Sequence, residues 1–131
     1  MSRKRKVLIA DDEPNIVTSL EYLMMRSGYD VMIARDGDEV LALVESFLPD
    51  VVLLDVMMPR RNGYEVCQKI RERADWRQIR IVMLSAKGRE AEVNKGLSLG
   101  ADMYVTKPFS NQELIATIGA LLAEGATPGG A

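Results

Sequence analysis

The chain contains no histidine, and that absence removes several chemistries at once. A histidine-bound zinc site, a Ser-His-Asp triad and a phosphohistidine carried on this chain are all excluded. Cysteine is nearly missing too. Cys67 stands alone, so no disulfide can close within the chain, and the usage fits a reducing compartment. No apolar run approaches the ~20 residues of a membrane span. The opening MSRKRKVLIADDE has no signal-peptide hydrophobic region. The expectation is a cytoplasmic chain with no membrane attachment. Neither G-x-G-x-x-G nor G-x-x-x-x-G-K-[ST] occurs, which argues against a nucleotide-binding α/β domain.

What is present is an ordinary globular composition. The 131 residues are 47% hydrophobic and 27% charged, enough for one domain with a real core. Four of the 17 basic residues are Arg3, Lys4, Arg5 and Lys6, so the rest of the chain is more acidic than the net charge of −2 suggests. That balance disfavours direct nucleic-acid binding by the domain body. The basic start reads as a solvated tail before the first strand.

Apolar runs alternate with stretches of helical period. Strands are expected over 7–10, near 31–33, and over 51–54, 79–84 and 103–105. Pro14 suits the first turn of a helix burying Ile16, Val17, Leu20, Leu23 and Met24, with Gly28 as its left-handed stop. Asp36 with Glu39 marks the start of a second helix, buried through Val40, Leu41, Val44 and Phe47 and closed by Pro49. Further helices are expected over 64–73, 90–99 and 111–122. The domain is expected to span 1–123, with 124–131 a flexible tail or linker stub. Five strands alternating with five helices imply an α/β fold, a parallel sheet covered by helices on both faces. Nearly continuous apolar strands fit a sheet buried on both sides.

One stretch, VVLLDVMMPRRNGYEV, sets a lone carboxylate, Asp55, at the end of an apolar strand. A charge there is costly unless it is paired, metal-bound or placed at a solvent-facing end. In a parallel sheet the residues following each strand land on one edge, where ligands bind at the point of reversed strand order. Asp11 and Asp12 follow the first strand, Asp55 the third, Ser85 the fourth, and Thr106, Lys107 and Pro108 the fifth. Singly, each has a plain explanation as a helix cap, a turn residue, a strand end or a solvated lysine; as a set at one edge they read as a site. Two carboxylates about 4 Å apart repel by roughly 4 kcal/mol at an effective dielectric near 20, so a cation or a proton belongs among them. Oxygen-only donors select a hard ion, Mg²⁺ by default. Carboxylates, a hydroxyl and a lysine around such an ion suit phosphoryl transfer onto a carboxylate, with Asp55 attacking in line.

The motifs LIADDEP, LLDVMMPRRNGYE, IVMLSAKG and GADMYVTKPF, in that order and spacing, resemble the receiver domain of two-component response regulators over residues 6–122. The resemblance implies a flavodoxin-like, doubly wound five-stranded parallel sheet of order 2-1-3-4-5 with five helices. It implies that Asp55 takes a phosphoryl group from a sensor histidine kinase or phosphotransfer protein. By the same resemblance Asp12, Asp55 and the backbone carbonyl of Met57 ligate Mg²⁺, and Asp11 acts through water. Ser85 and Lys107 bind phosphoryl oxygens, Lys107-Pro108 is a cis peptide, and Tyr104 is the aromatic switch. The surface of the fourth helix, fifth strand and fifth helix would then engage a downstream protein or a fused effector.

Departures from the family pattern carry their own expectations. Relatives that dimerise through charged residues on that surface have counterparts here at Val93, Met103 and Thr117, which cannot form those salt bridges. A charge-dependent dimer is therefore not expected, although a phosphorylation-dependent dimer of another kind stays open. Met57 and Lys87, two positions beyond Asp55 and Ser85, offer no carboxylate or amide to orient water, so slow loss of phosphate is expected. The rival reading is an Mg²⁺-dependent phosphatase with an aspartyl nucleophile. Such enzymes usually place a second carboxylate where Met57 stands.

Overall fold

Alternation along the central strands decides the architecture of the computed structural model, which is described for residues 4–86 and 88–125. Val51 and Leu53 pack into one core layer, Val52 and Leu54 into the other. The strands are β1 (Lys6–Ala10), β2 (Asp30–Ala34), β3 (Val51–Asp55), β4 (Arg80–Ser85) and β5 (Met103–Thr106). All neighbours pair in parallel, in the order β2-β1-β3-β4-β5. The helices are α1 (Pro14–Arg26), α2 (Gly37–Phe47), α3 (Gly63–Glu72), α4 (Glu90–Ser98) and α5 (Asn111–Gly125), with a single 3-10 turn at Ala74–Trp76. One layer closes over Leu20 and Met24 of α1 and Leu114 and Ile118 of α5. The other closes over Val40 and Val44 of α2, Val66, Cys67 and Ile70 of α3, and Trp76. The flavodoxin-like arrangement expected from the sequence is the one observed.

The central strands β1, β3 and β4 are buried almost throughout, whereas the edge strands β2 and β5 are partly exposed. An edge strand has a neighbour on one side only, so its apolar run need not be continuous. Helix ends largely follow their signals. Asp36 caps α2 by accepting the Glu39 N–H at 2.8 Å, and Glu39 returns by accepting the Arg35 N–H at 2.7 Å. Gly28 and Gly100 take left-handed φ values of 94° and 114° after α1 and α4.

Most boundaries shift by a residue or more from expectation, and three ends are informative. The third helix starts one residue early because Asn62 and Glu65 form a reciprocal capping box. Gly63 can then lie against the strand; a β-carbon there would sit 2.5 Å from the Asp55 carbonyl oxygen. The second helix ends before Pro49 on Leu48, held at φ 54°, where a glycine is usual. The fifth helix runs three residues further than expected, to Gly125. Of the expected tail, residues 126–131 lie outside the described part of the chain.

Candidate functional site

The sheet reverses its strand order between β1 and β3, and this opens the crevice at their carboxyl ends. Register sets Ala10 beside Leu54, so the next residue on each side is an aspartate, Asp11 and Asp55. Ligand atoms of Asp11, Asp12 and Asp55 all lie within 4.8 Å of one another. Asp11 and Asp55 are buried and Asp12 is exposed. The sequence placed these three together, and the structure does so too.

A cation faces them from β5. Lys107 Nζ donates to Asp11 Oδ2 at 3.0 Å and lies 3.8 Å from Asp55 Oδ1. Its backbone N–H donates to the Ser85 carbonyl at 2.8 Å, which ties the loop after β5 to the end of β4. The Lys107-Pro108 peptide is cis, as expected. Ser85 is buried, beside Thr106 in the β4–β5 register. Asp11 is held from its other oxygen by the Glu13 N–H at 2.9 Å, and Asp55 Oδ1 accepts the Met57 N–H at 3.3 Å.

The electrostatic consequence is a carboxyl that resists ionising. Burial first, then repulsion from Asp11, pushes Asp55 up to about 6, against the pull of Lys107 and the Met57 N–H. Among the described residues, the Lys107 ammonium does not balance three carboxylates. The donor set is oxygen only and fits a hard divalent cation, Mg²⁺ by chemistry: Asp11, Asp12 and Asp55, with the Met57 carbonyl beside them in the chain. The pocket can therefore hold a cation and present one partly desolvated carboxylate to an electrophile.

Some features of the site had no clear signature in the chain order. The loop after Asp55 is clamped onto the start of α2. Arg61 Nε donates to Asp38 at 2.8 Å, Arg60 Nε lies 3.5 Å from Asp36, and the Gly37 N–H donates to the Pro59 carbonyl at 3.3 Å. A β-carbon on Gly37 would lie 2.4 Å from Arg61 Cβ, so only glycine fits beneath this loop. Alternating charge at Asp36-Gly37-Asp38 and Arg60-Arg61 is the one hint the sequence holds. Tyr104 is half-buried against the layer of α2, α3 and α4. Lys87, expected to influence phosphate loss, lies outside the described residues.

Known proteins share this fold. The family profile of the response regulator receiver domain matches residues 7–119. The chain is 48% identical over 118 residues to the alkaline phosphatase synthesis transcriptional regulatory protein PhoP of Bacillus subtilis (strain 168). That alignment covers 90% of this chain and 48% of the relative, so the chain spans about half the relative's length. The receiver domain of the Francisella response regulator 1452 superposes with a TM-score of 0.86 at 33% identity, covering 92% of this chain and 98% of that one. The BeF3-activated N-terminal receiver domain of Klebsiella pneumoniae RstA gives 0.85 at 26% identity, covering 90% and 98%.

Proposed function

The chain belongs to the response regulator receiver domain family, and from that premise we propose that Asp55 is its phosphoryl acceptor in two-component signalling. The donor is a phosphohistidine on a sensor kinase or phosphotransfer protein, since this chain has no histidine of its own. The observation that carries the reading is the convergence of Asp11, Asp12 and Asp55 at the strand-order reversal, faced by Lys107.

Each residue has a definite task. An Asp55 oxygen attacks phosphorus, the P–N bond to the donor imidazole breaks, and that nitrogen keeps the electron pair. Lys107, already within reach of Asp55, takes up a phosphoryl oxygen as charge arrives. Ser85, at the end of β4, offers its hydroxyl to another. Asp12, Asp55 and the Met57 carbonyl would hold Mg²⁺, with Asp11 acting through water. Bound there, the ion supplies neutralisation of the negative charge shared by the phosphoryl oxygens and the carboxylates.

Hydrogen bonds to a charged group contribute about 1.5–3 kcal/mol each. Two of them approach the ~5.5 kcal/mol that inverts a 1:99 equilibrium. The new bonds made by Ser85 and Lys107 thus suffice to bias the loop after β4 and the face of α4, β5 and α5. Tyr104 is the side chain that transmits this change, and Leu97 and Met103 are exposed there, 42% and 39%, as an apolar contact for a downstream protein. A domain that ends with α5 at Gly125, two residues past the expected limit of 123, fits a receiver that stands alone or precedes an effector. The relative of twice this length is a transcriptional regulatory protein, which favours a fused effector.

Incubation with acetyl phosphate and Mg²⁺, followed by intact mass, tests the reading. Wild type should gain one phosphoryl group and Asp55→Asn none. Uptake by the Asn variant, or none by wild type, overturns it.

A further inference from the structure

Tyr64 stands in the first turn of α3, directly after the loop that leaves Asp55, and the phosphoryl chemistry makes no use of it. Its hydroxyl donates to the main-chain carbonyl of Glu92 in α4 at 3.2 Å. The Lys95 ammonium of the same helix lies 4.5 Å from the centre of its ring. Tyr64 and Tyr104 pack against the same core layer. Gly96 of α4 makes that packing possible: a β-carbon there would lie 3.0 Å from Tyr104 Cδ2 and 2.8 Å from the Met83 sulfur. Burial pushes the Tyr64 phenol up to about 12. At its other end Tyr64 is anchored through Gly63, whose N–H donates to the Val56 carbonyl at 2.8 Å.

One phenol therefore joins the segment carrying Asp55 to the backbone of α4, in the core layer where Tyr104 packs beside Gly96 of that helix. We propose that Tyr64 is a positioning residue that clasps α4 and Tyr104 in the arrangement seen here, and that the output face changes only when this clasp opens. The inference rests on Asp55 as phosphoryl acceptor and extends it to a route running through α3, separate from Ser85. The clasp favours the resting arrangement, so losing it lowers the cost of activation. A hydrogen bond of ordinary net strength corresponds to roughly a fivefold change in an equilibrium.

Tyr64→Phe removes the hydroxyl and keeps the ring, its core packing and the Lys95 contact. The full chain, labelled with 3-fluorotyrosine, is followed by fluorine NMR during titration with beryllofluoride in Mg²⁺, and the Tyr104 signal is assigned from Tyr104→Phe. The expected result has two parts. The Tyr104 signal of ligand-free Tyr64→Phe moves toward its beryllofluoride-bound position, and half-saturation falls about fivefold. An unmoved Tyr104 signal with half-saturation within twofold of wild type overturns the clasp, as does weaker binding. A lowered melting temperature with an unmoved Tyr104 signal also overturns it, because that is packing alone. Acetyl phosphate labelling of wild type, run in parallel, separates the two levels: labelled wild type with a silent Tyr64→Phe refutes the clasp and spares the acceptor.

Discussion

The two edges of the sheet solve the same electrostatic problem in opposite ways. At the amino-terminal edge of β4 and β5, Asp102 accepts from Arg71 Nη2 at 3.0 Å, Arg80 Nη1 at 3.2 Å and the Ile81 N–H at 2.8 Å. Two guanidinium groups serve one carboxylate, and Arg71 also donates to the Gly100 carbonyl at 2.9 Å. At the carboxyl edge, among the described residues, one ammonium reaches Asp11 and Asp55 of the three carboxylates. The first cluster balances the Asp102 charge within the fold, with Arg80 Nε buried and unbonded, and joins α3 to the start of β5. The second is short of positive charge, and that deficit is what a cation and a phosphoryl group can use. Charge balance separates a structural cluster from a reactive one, although both are partly buried aspartates beside long cations.

The largest expected effect is at the deficient edge. Asp55→Asn abolishes phosphoryl uptake, whereas Asp102→Ala leaves it intact; loss of uptake in both would erase the contrast between the edges. Next in size is the stability cost of opening the balanced cluster. Asp102→Ala takes the carboxylate from the Arg80 guanidinium and the Ile81 N–H and leaves Arg71 only its main-chain acceptors, so urea unfolding should show a loss of about 3 kcal/mol. A loss under 1 kcal/mol would mean that solvent already satisfies these groups.

The deficient edge should behave in the reverse sense. Burial and the neighbouring Asp11 push the Asp55 carboxyl up to about 6 in the folded chain, above the ordinary carboxylate range, so the native state holds its proton more tightly than the unfolded one. The unfolded chain then binds fewer protons between about pH 4 and pH 6, and stability falls as pH rises through that window. Without divalent ion, Asp55→Asn should match wild type below pH 4 and exceed it by roughly 3 kcal/mol above pH 6. Mg²⁺ at neutral pH should stabilise wild type far more than the variant. A stability difference that does not vary with pH would show that Asp55 is not the strained group.

The smallest effect lies away from both edges. Leu48, 52% exposed at φ 54°, holds a conformation that costs a side-chain-bearing residue about 1 kcal/mol or more. After the entropy that glycine adds to the unfolded chain, Leu48→Gly should still gain about 0.5 kcal/mol by thermal or urea unfolding. A net loss would mean that Leu48 packs more firmly than its exposure suggests.

Much of this was legible in the order of residues. Continuous apolar runs and helical-period patterns placed the elements because burial acts on local spacing. The residue after each strand pointed to Asp11, Asp12, Asp55, Ser85 and Lys107 because a parallel sheet sends those positions to one edge. The Arg60 and Arg61 clamp on α2 was hidden, since its partners lie more than twenty positions away and surface charges pair with many alternatives. The extra 3-10 turn at Ala74–Trp76 was hidden too, being short and without a period of its own.

By itself, then, the chain order determined the class of fold, the faces that go inside and the chemistry available at one end. Local spacing and residue type suffice for that. Tertiary structure alone decided which charges are shared: that Lys107 leans on Asp11 more closely than on Asp55, that Asp102 is saturated, and that Tyr64 reaches α4. These depend on distances of a few ångströms between residues far apart in the chain, and Coulomb and hydrogen-bond energies change over that same distance.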